Sequence, residues 1–251
     1  MSTLPAVLVT GGAKRIGAAI ARSFAAAGWH VVIHFGHSRD QAERLAAELP
    51  SAETVSCDLA DAEAPARMIE QLAARLPDWR VVVNCAGVFP FDDADALDPA
   101  LLDETIAVNA RAPVRIAQAF LSNAQAQGGR RVIHVTDQKL ANPNPDFFSY
   151  TMSKHALAAS IAMLSMARRD AADRIYGIAP GAILASHDQT EAETDKSHRM
   201  NLLHRKTLPG EIADAALFLA QGWLASGETV YVDSGQHLLA QDRDVLFLAR
   251  E

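Results

Sequence analysis

Short β-branched runs alternate with alanine-rich amphipathic stretches along the whole chain, and this alternation constrains the fold more than any single residue does. Ala6–Thr10 reads as a strand, Ile16–Ala27 as a helix and Trp29–Phe35 as a strand. Arg39–Leu49 then reads as helix, Thr54–Cys57 as strand, Ala62–Leu76 as helix and Arg80–Cys85 as strand. A long helix through Leu101–Gln127 follows, then a strand at Arg131–Thr136 and a helix at Tyr150–Arg169. The last elements are a strand at Arg174–Ile178, a helix at Pro209–Gln221 and a strand at Glu228–Val232. The strand runs are nearly all apolar, as parallel strands covered on both faces should be. This rhythm predicts an α/β fold: a doubly wound Rossmann-type domain with a central parallel sheet and helices on both faces. A chain of 251 residues suits one such domain over 1–251, with a full core. Pro143–Pro145 and Ser186–His204 read as loops. The second is long, polar and breaks the rhythm, so 184–206 is expected to form a substrate lid.

Charge excludes several classes of function. There are 23 Lys+Arg against 30 Asp+Glu, a net charge of −7. The basic pairs Lys14-Arg15, Arg130-Arg131, Arg168-Arg169 and Arg205-Lys206 are scattered, which is not the footprint of a nucleic-acid binder. No apolar run approaches the roughly 18 residues of a membrane span. The opening Met-Ser-Thr-Leu-Pro has no basic n-region or cleavage site, so a cytoplasmic location is expected. Cys57 and Cys85 cannot make a disulfide framework and read as reduced thiols on strands. His134 lies in a strand, and His187, His198 and His204 are spread through the lid without ligand spacing, so no metal site is implied.

The first strand runs into Thr10-Gly11-Gly12-Ala13-Lys14-Arg15-Ile16-Gly17, with a helix directly after it. A strand, glycine turn and helix in that order put backbone N–H groups and a helix N-terminus where a pyrophosphate can sit. An ordinary βα turn is the competing reading, and the position after the first strand argues against it. NAD sites usually carry an acid about 20 residues further on, to hold the ribose diol. Here Ile33-His34-Phe35-Gly36-His37-Ser38-Arg39 contains none before Asp40. Arg39 alone could be a solvated loop charge. The set of His37, Ser38 and Arg39 opposite Lys14 and Arg15 suits a 2′-phosphate and points to NADPH. On this reading Arg15→Ala raises the KM for NADPH far more than that for NADH.

Tyr150-Thr151-Met152-Ser153-Lys154 opens a predicted helix, so Tyr150 and Lys154 share one face at i and i+4. A nearby ammonium favours phenolate and is expected to lower the tyrosine toward working pH. Such a pair can protonate the atom opposite a hydride-accepting carbon. By itself the spacing is common by chance.

The glycine turn, Asn84-Cys85-Ala86-Gly87, Asn109, Tyr150 with Lys154, and Pro180-Gly181 occur in the order and spacing of one family. Over essentially its whole length the chain resembles the short-chain dehydrogenases/reductases. The resemblance implies cofactor contacts from Gly11, Lys14, Arg15, Ile16, Gly17, His37, Ser38, Asp58 (to the adenine), Leu59, Asn84, Ala86, Gly87, Tyr150, Lys154, Pro180 and Gly181. It also implies that Asn109 holds a water linking Lys154 to solvent, whereas taken alone an Asn in an apolar helix is a buried hydrogen-bonding residue. The family often pairs the Tyr150 helix and its predecessor across a two-fold axis, so a homo-oligomer, dimer or tetramer, is expected. Met163 and Met166 on that helix read as core or subunit-contact filler.

Departures from the family pattern narrow the branch. Arg15 stands where many members have Gly, and Asp137, thirteen residues before Tyr150, stands where they carry the catalytic serine. Both are similar to pteridine and dihydromonapterin reductases. Phe89, five residues past Asn84, matches the aromatic that packs the flat pterin there, and His37-Ser38 resembles that branch's 2′-phosphate loop. Cys85 replaces the second Asn of the usual Asn-Asn-Ala-Gly. A neutral hydroxyl suits a ketone oxygen, whereas a pterin presents an amidine-like edge of N–H donors and a C=N bond to be protonated. A carboxyl beside Tyr150 could accept from those donors or share a proton with the phenol. Losing the serine removes one donor from a ketone oxyanion, worth about 2–4 kcal/mol in comparable sites.

The expected catalytic set is therefore Tyr150, Lys154, Asp137 and Asn109, with Phe89, Asp137 and Tyr150 on the substrate. The expected activity is NADPH-dependent reduction of a dihydropterin such as dihydromonapterin, dihydrobiopterin or dihydrofolate. The alternatives are a reductase of an acyl, sugar or xenobiotic ketone, and an idle NADPH-binding sensor, against which the intact Tyr150/Lys154 pair weighs. Asp188, Glu191, Glu193 and Asp195 make the lid acidic. They would repel a polyglutamylated folate tail if they faced the pocket, and read otherwise as a solvated loop face.

Overall fold

The computed structural model of the chain describes residues 4–185 and 189–251. Its strands are β1 (Ala6–Thr10), β2 (His30–Phe35), β3 (Ala52–Ser56), β4 (Trp79–Asn84), β5 (Arg131–Val135), β6 (Arg174–Pro180) and β7 (Thr229–Val232). They form one seven-stranded sheet in the order β3-β2-β1-β4-β5-β6-β7, and every neighbouring pair is parallel. The helices are α1 (Arg15–Ala26), α2 (Arg39–Glu48), α3 (Ala64–Ala73), α4 (Pro99–Ile106), α5 (Ala112–Asn123), α6 (Phe148–Ala167), α7 (Glu191–Ser197), α8 (Pro209–Ala220) and α9 (Val245–Leu248).

Alternate strand residues feed two separate cores, as the period of two in a strand requires. Val7, Val9, Val81, Val83, Ile133 and Ile178 pack with Ile20 and Phe24 of α1 and Ile212 and Ala216 of α8. Leu8, Val82, Val132 and Ile175 face the other way, onto Met68 and Leu72 of α3, Ile116 and Phe120 of α5 and Ile161 of α6. Edge strands β3 and β7 are only half-buried, whereas β1 is buried throughout. Strand order reverses direction between β1 and β4, and in such sheets the crevice at the carboxyl ends beside that reversal receives the ligand.

Four expectations are corrected. The helix expected through Leu101–Gln127 is instead α4, a π-helical turn at Ala107–Arg111 and α5, ending at Asn123. Pro113 lies in the first turn of α5 and has no N–H to donate, so the ladder shifts register just before it. The 184–206 stretch is not all loop: Thr190 and Glu193 form a reciprocal capping box that starts α7. Ser186, His187 and Asp188 lie outside the described residues. Met163 and Met166 are 57% and 79% exposed, so neither fills the core of this chain. Cys57 and Cys85 are free, and each lies one residue past the end of its strand rather than within it. Among the described residues no helix is long and apolar enough to cross a membrane, and no cluster of His, Cys, Asp or Glu could hold a metal.

Candidate active site

A cleft of about 520 Å³ opens at the carboxyl ends of β1, β4, β5 and β6, within the size range of small-molecule sites. One wall is the glycine turn. Gly11 has φ 63°, and a Cβ there would lie 2.9 Å from Ala86 Cα. A Cβ on Gly17 would lie 2.2 Å from the Gly11 carbonyl oxygen, so only glycine lets α1 start this close to the turn. α1 starts at Lys14 with no side-chain capping bond and no acid in its first turn. Its leading N–H groups are therefore open to an anion, and this wall fits a dinucleotide pyrophosphate. Thr10 Oγ1 accepts from the backbone N–H groups of Cys85 (3.0 Å) and Ala86 (3.1 Å), which fixes the turn carrying Gly87.

Tyr150, Asp137 and Lys154 line the same cleft. The Tyr150 hydroxyl donates to Asp137 Oδ2 at 2.8 Å, and Asp137 Oδ1 accepts from the Lys139 N–H at 2.9 Å. Lys154 Nζ donates to the Val135 carbonyl at 2.8 Å and sits 5.6 Å from the Tyr150 ring centre. Burial raises Asp137 above the usual carboxylate range, opposed by the Lys139 N–H and by the charges of Lys139 and Lys154. Burial also raises Tyr150, helped by the charge and hydrogen bond of Asp137. The expected lowering of Tyr150 is thus not what this geometry gives. The phenol proton is anchored on a carboxylate, while the ammonium, itself lowered by burial, is turned to a carbonyl. Asp137 and Tyr150 form a coupled pair in which burial pushes both groups toward holding their protons.

Asn109 lies in the π-helical turn, fully buried. Its Oδ1 accepts from Val88 N–H at 2.9 Å, and its Nδ2 donates to the Val88 carbonyl at 2.9 Å and to Ser153 Oγ at 3.1 Å. The side chain therefore braces the strand-four turn against α6. Phe89 lines the cleft, stacks on Phe147 at 4.1 Å between ring centres and meets Tyr150 edge-on at 4.4 Å.

The remaining predicted residues divide. Lys14, Arg15, Ile16, Ala86, Gly87, Pro180 and Gly181 line the cleft with Tyr150, Asp137 and Lys154. Arg15 adopts φ 54°, a left-handed conformation costing a side-chain-bearing residue about 1–2 kcal/mol. Its guanidinium donates to the Ala185 carbonyl at 3.2 and 3.3 Å. Arg15 thus lines the cleft bonded to the segment after β6, and its guanidinium bonds are to Ala185 rather than to the His37–Arg39 segment. His37 is exposed, Ser38 begins α2 without a side-chain capping bond, and Arg39 pairs with Glu43 at 3.3 Å. Asp58 is exposed and accepts from Ala60 N–H, and Leu59 is buried. Asn84 is buried below the cleft, its Nδ2 3.3 Å from His134 Nδ1. Cys85 borders the cleft, its thiol pushed up to about 11 by burial.

Sequence reasoning missed one whole wall. Asp244, Val245 and Leu246 line the cleft from the start of α9. Asp244 Oδ2 is 2.8 Å from the buried Lys139 Nζ, and its Oδ1 accepts from Leu246 N–H at 3.0 Å. Arg243 grips Asp146 in a bidentate pair, and Phe247 packs against Phe91 and Phe147. The signal was an Asp just before a short apolar run, Val245–Leu248, a helix start that can only pay off against a surface formed elsewhere. From the lid, Gln189, Ser197 and His198 also line the cleft. Among the described residues, its acids Glu191, Glu193 and Asp195 do not: Glu193 pairs with Arg250, and Asp195 with Arg199 and Lys206.

The fold and this arrangement of glycine turn, tyrosine and lysine define a dinucleotide-dependent oxidoreductase. The chain belongs to the short-chain dehydrogenase/reductase family, with a family model described as enoyl-(acyl carrier protein) reductase matching residues 11–237. It is similar to a FolM alternative dihydrofolate reductase 1 from Brucella suis solved in complex with NADP, at 32% identity and a TM-score of 0.88, covering 94% of this chain and 96% of that one. It is also 26% identical to pteridine reductase 1 of Leishmania tarentolae, over 94% of this chain and 97% of the relative. The 3-oxoacyl-[acyl-carrier-protein] reductase FabG of Staphylococcus aureus is 25% identical, over 95% of this chain and all of the relative (100%).

Proposed function

We propose that this protein is an NADPH-dependent reductase of a pterin-type substrate, a dihydropterin such as dihydromonapterin or dihydrofolate. The observation that carries the reading is the 2.8 Å hydrogen bond from the Tyr150 hydroxyl to Asp137 Oδ2, at a position where the family's ketone reductases keep a serine hydroxyl. NADPH supplies the hydride when bound. The first turn of α1 receives its pyrophosphate, with Gly11 and Gly17 allowing the close approach, and Lys14 and the His37–Arg39 segment are proposed for the 2′-phosphate. Tyr150 can pass its proton to a ring nitrogen, and the protonated Asp137 carboxyl beside it can replace that proton. A charged Lys154 beside them would stabilise the pair once the proton has left. Phe89, backed by Phe147, offers an aromatic surface to a flat ring. The NADP complex of the FolM-type neighbour and the pteridine reductase relative support the reading.

Reduction of a ketone is the second reading, supported by the comparable identity to FabG. The deciding experiment follows NADPH oxidation by the purified protein with a dihydropterin, beside NADH and a panel of ketones. Pterin turnover with NADPH preference is expected. Turnover of ketones alone would replace the substrate assignment. Tyr150→Phe is expected to abolish turnover with NADPH binding intact, and an unchanged rate would overturn the assigned chemistry. The reading extends to a cytoplasmic homo-oligomer, for which the exposed Met163 and Met166 of α6 are the proposed contact.

A further inference from the structure

One buried titratable side chain beside the glycine turn has no part in the chemistry above. His34, near the end of β2, is 2% exposed. Its Nδ1 accepts from the Gly11 N–H at 3.2 Å, and its Nε2 lies 3.1 Å from the Cys57 carbonyl. A backbone N–H can only donate and a carbonyl can only accept. These two partners therefore fix the ring as neutral, with the proton on Nε2. Burial pushes its pKa down to about 4, in keeping with that state. The backbone carbonyl of the same residue takes a second donor from the turn, Gly12 N–H, at 3.0 Å. Cys57 N–H in turn donates to the Phe35 carbonyl at 3.3 Å.

The end of β2 thus clamps two segments remote in sequence: the glycine turn after β1 and the turn after β3 that carries Asp58 and Leu59. With the Gly11 and Gly12 N–H groups committed to His34, the backbone donors left for a phosphate are those at the start of α1. Nothing in the β3 turn or the glycine turn fixes their separation by covalent means, and the imidazole spans it.

We propose that His34 is a positioning residue for the dinucleotide, its ring bridging Gly11 to Cys57 so that the α1 N-terminus and the Asp58 turn stand at a set distance on two sides of the adenosine half. The proposal rests on the dinucleotide reading of the glycine turn and is independent of which substrate is reduced.

The test is titration of NADPH into wild type, His34→Phe, His34→Asn and His34→Gln, with steady-state kinetics and thermal melts alongside. Phe keeps the bulk and loses both bonds. Gln carries an acceptor and a donor spaced much as the two ring nitrogens are, and Asn is too short to reach both partners. His34→Phe is expected to raise the NADPH Kd about tenfold, the loss of one to two net hydrogen bonds, with kcat at saturating NADPH within about twofold. Gln is expected to restore Kd to within about threefold of wild type, with Asn intermediate. A folded His34→Phe that binds NADPH as wild type does overturns the proposal. So does a Gln variant no better than Asn, a comparison that stands even if Phe fails to fold. Wild-type protein that binds neither NADPH nor NADH refutes the dinucleotide reading itself, and the role of His34 with it.

Discussion

At residue 137 a carboxyl takes the place of a hydroxyl, and the consequences are both chemical and energetic. Asp137→Ser is expected to cut dihydropterin turnover by about a hundredfold, the scale of losing a hydrogen-bonding group at a reacting atom, while ketone turnover is retained or gained. Steady-state rates on both substrate types check this. Because burial raises the Asp137 pKa, the carboxyl stays protonated to a higher pH than a surface one. Wild-type kcat/KM for the pterin should therefore fall as pH rises through that raised value, and Asp137→Ser should lack the falling limb. The same shift bears on stability. A carboxyl whose folded pKa lies above its unfolded one contributes stability that is complete below the unfolded value, about 3.9, and lost as pH rises through the folded value. Asp137→Asn is accordingly expected to raise the melting temperature at neutral pH, with the gain shrinking in acid. Arg15 is a second case. Its guanidinium lies on Ala185, in the segment after β6, so Arg15→Ala is expected to weaken NADPH and NADH alike. A selective loss of NADPH would return it to the 2′-phosphate, as the residue types alone suggest.

Among the elements, the π-helical turn between α4 and α5 decides most. It swings Asn109 onto both backbone groups of Val88, and so holds the Cys85–Phe89 turn on which Phe89 depends. Asn109→Ala would leave those groups to find other partners and is expected to cost about 1–3 kcal/mol of stability, read as a lower urea midpoint. It should also raise KM for cofactor and substrate. The apolar periodicity through Leu101–Gln127 was legible, but a shift of one residue in hydrogen-bond register leaves no mark on hydropathy. Proline at 113 was the only clue. The lid shows the opposite case: its capping box was present in Thr190 and Glu193, and a polar surface hid it.

Across the whole molecule, the cleft is closed by the chain's last turn. The Asp244–Leu246 wall is held by the Lys139–Asp244 and Arg243–Asp146 pairs and by the contacts of Phe247. Lys139 and Asp146 are buried, so each of these pairs is costly to break from one side. Removing residues 242–251 is expected to abolish substrate turnover while NADPH still quenches or shifts in fluorescence, since the glycine turn is built by β1 and α1 and takes no part in those pairs. Persistent turnover would show that α9 is not part of the substrate site.

The seven strands, the glycine turn, and the tyrosine and lysine at i and i+4 were readable from the chain because each is a local pattern. Apolar period, residues permitting close backbone approach, and helical spacing all act over a few positions. Other features needed contacts between distant segments: the tyrosine proton on Asp137, the bridge of His34 between two turns, and the wall built by Asp244 on Lys139. Those pairings are 13, 23 and 105 residues apart in sequence, the last being 244 − 139. Only the folded sheet brings such groups into one low-dielectric cleft, and there burial, not residue type, sets which of them carries the proton.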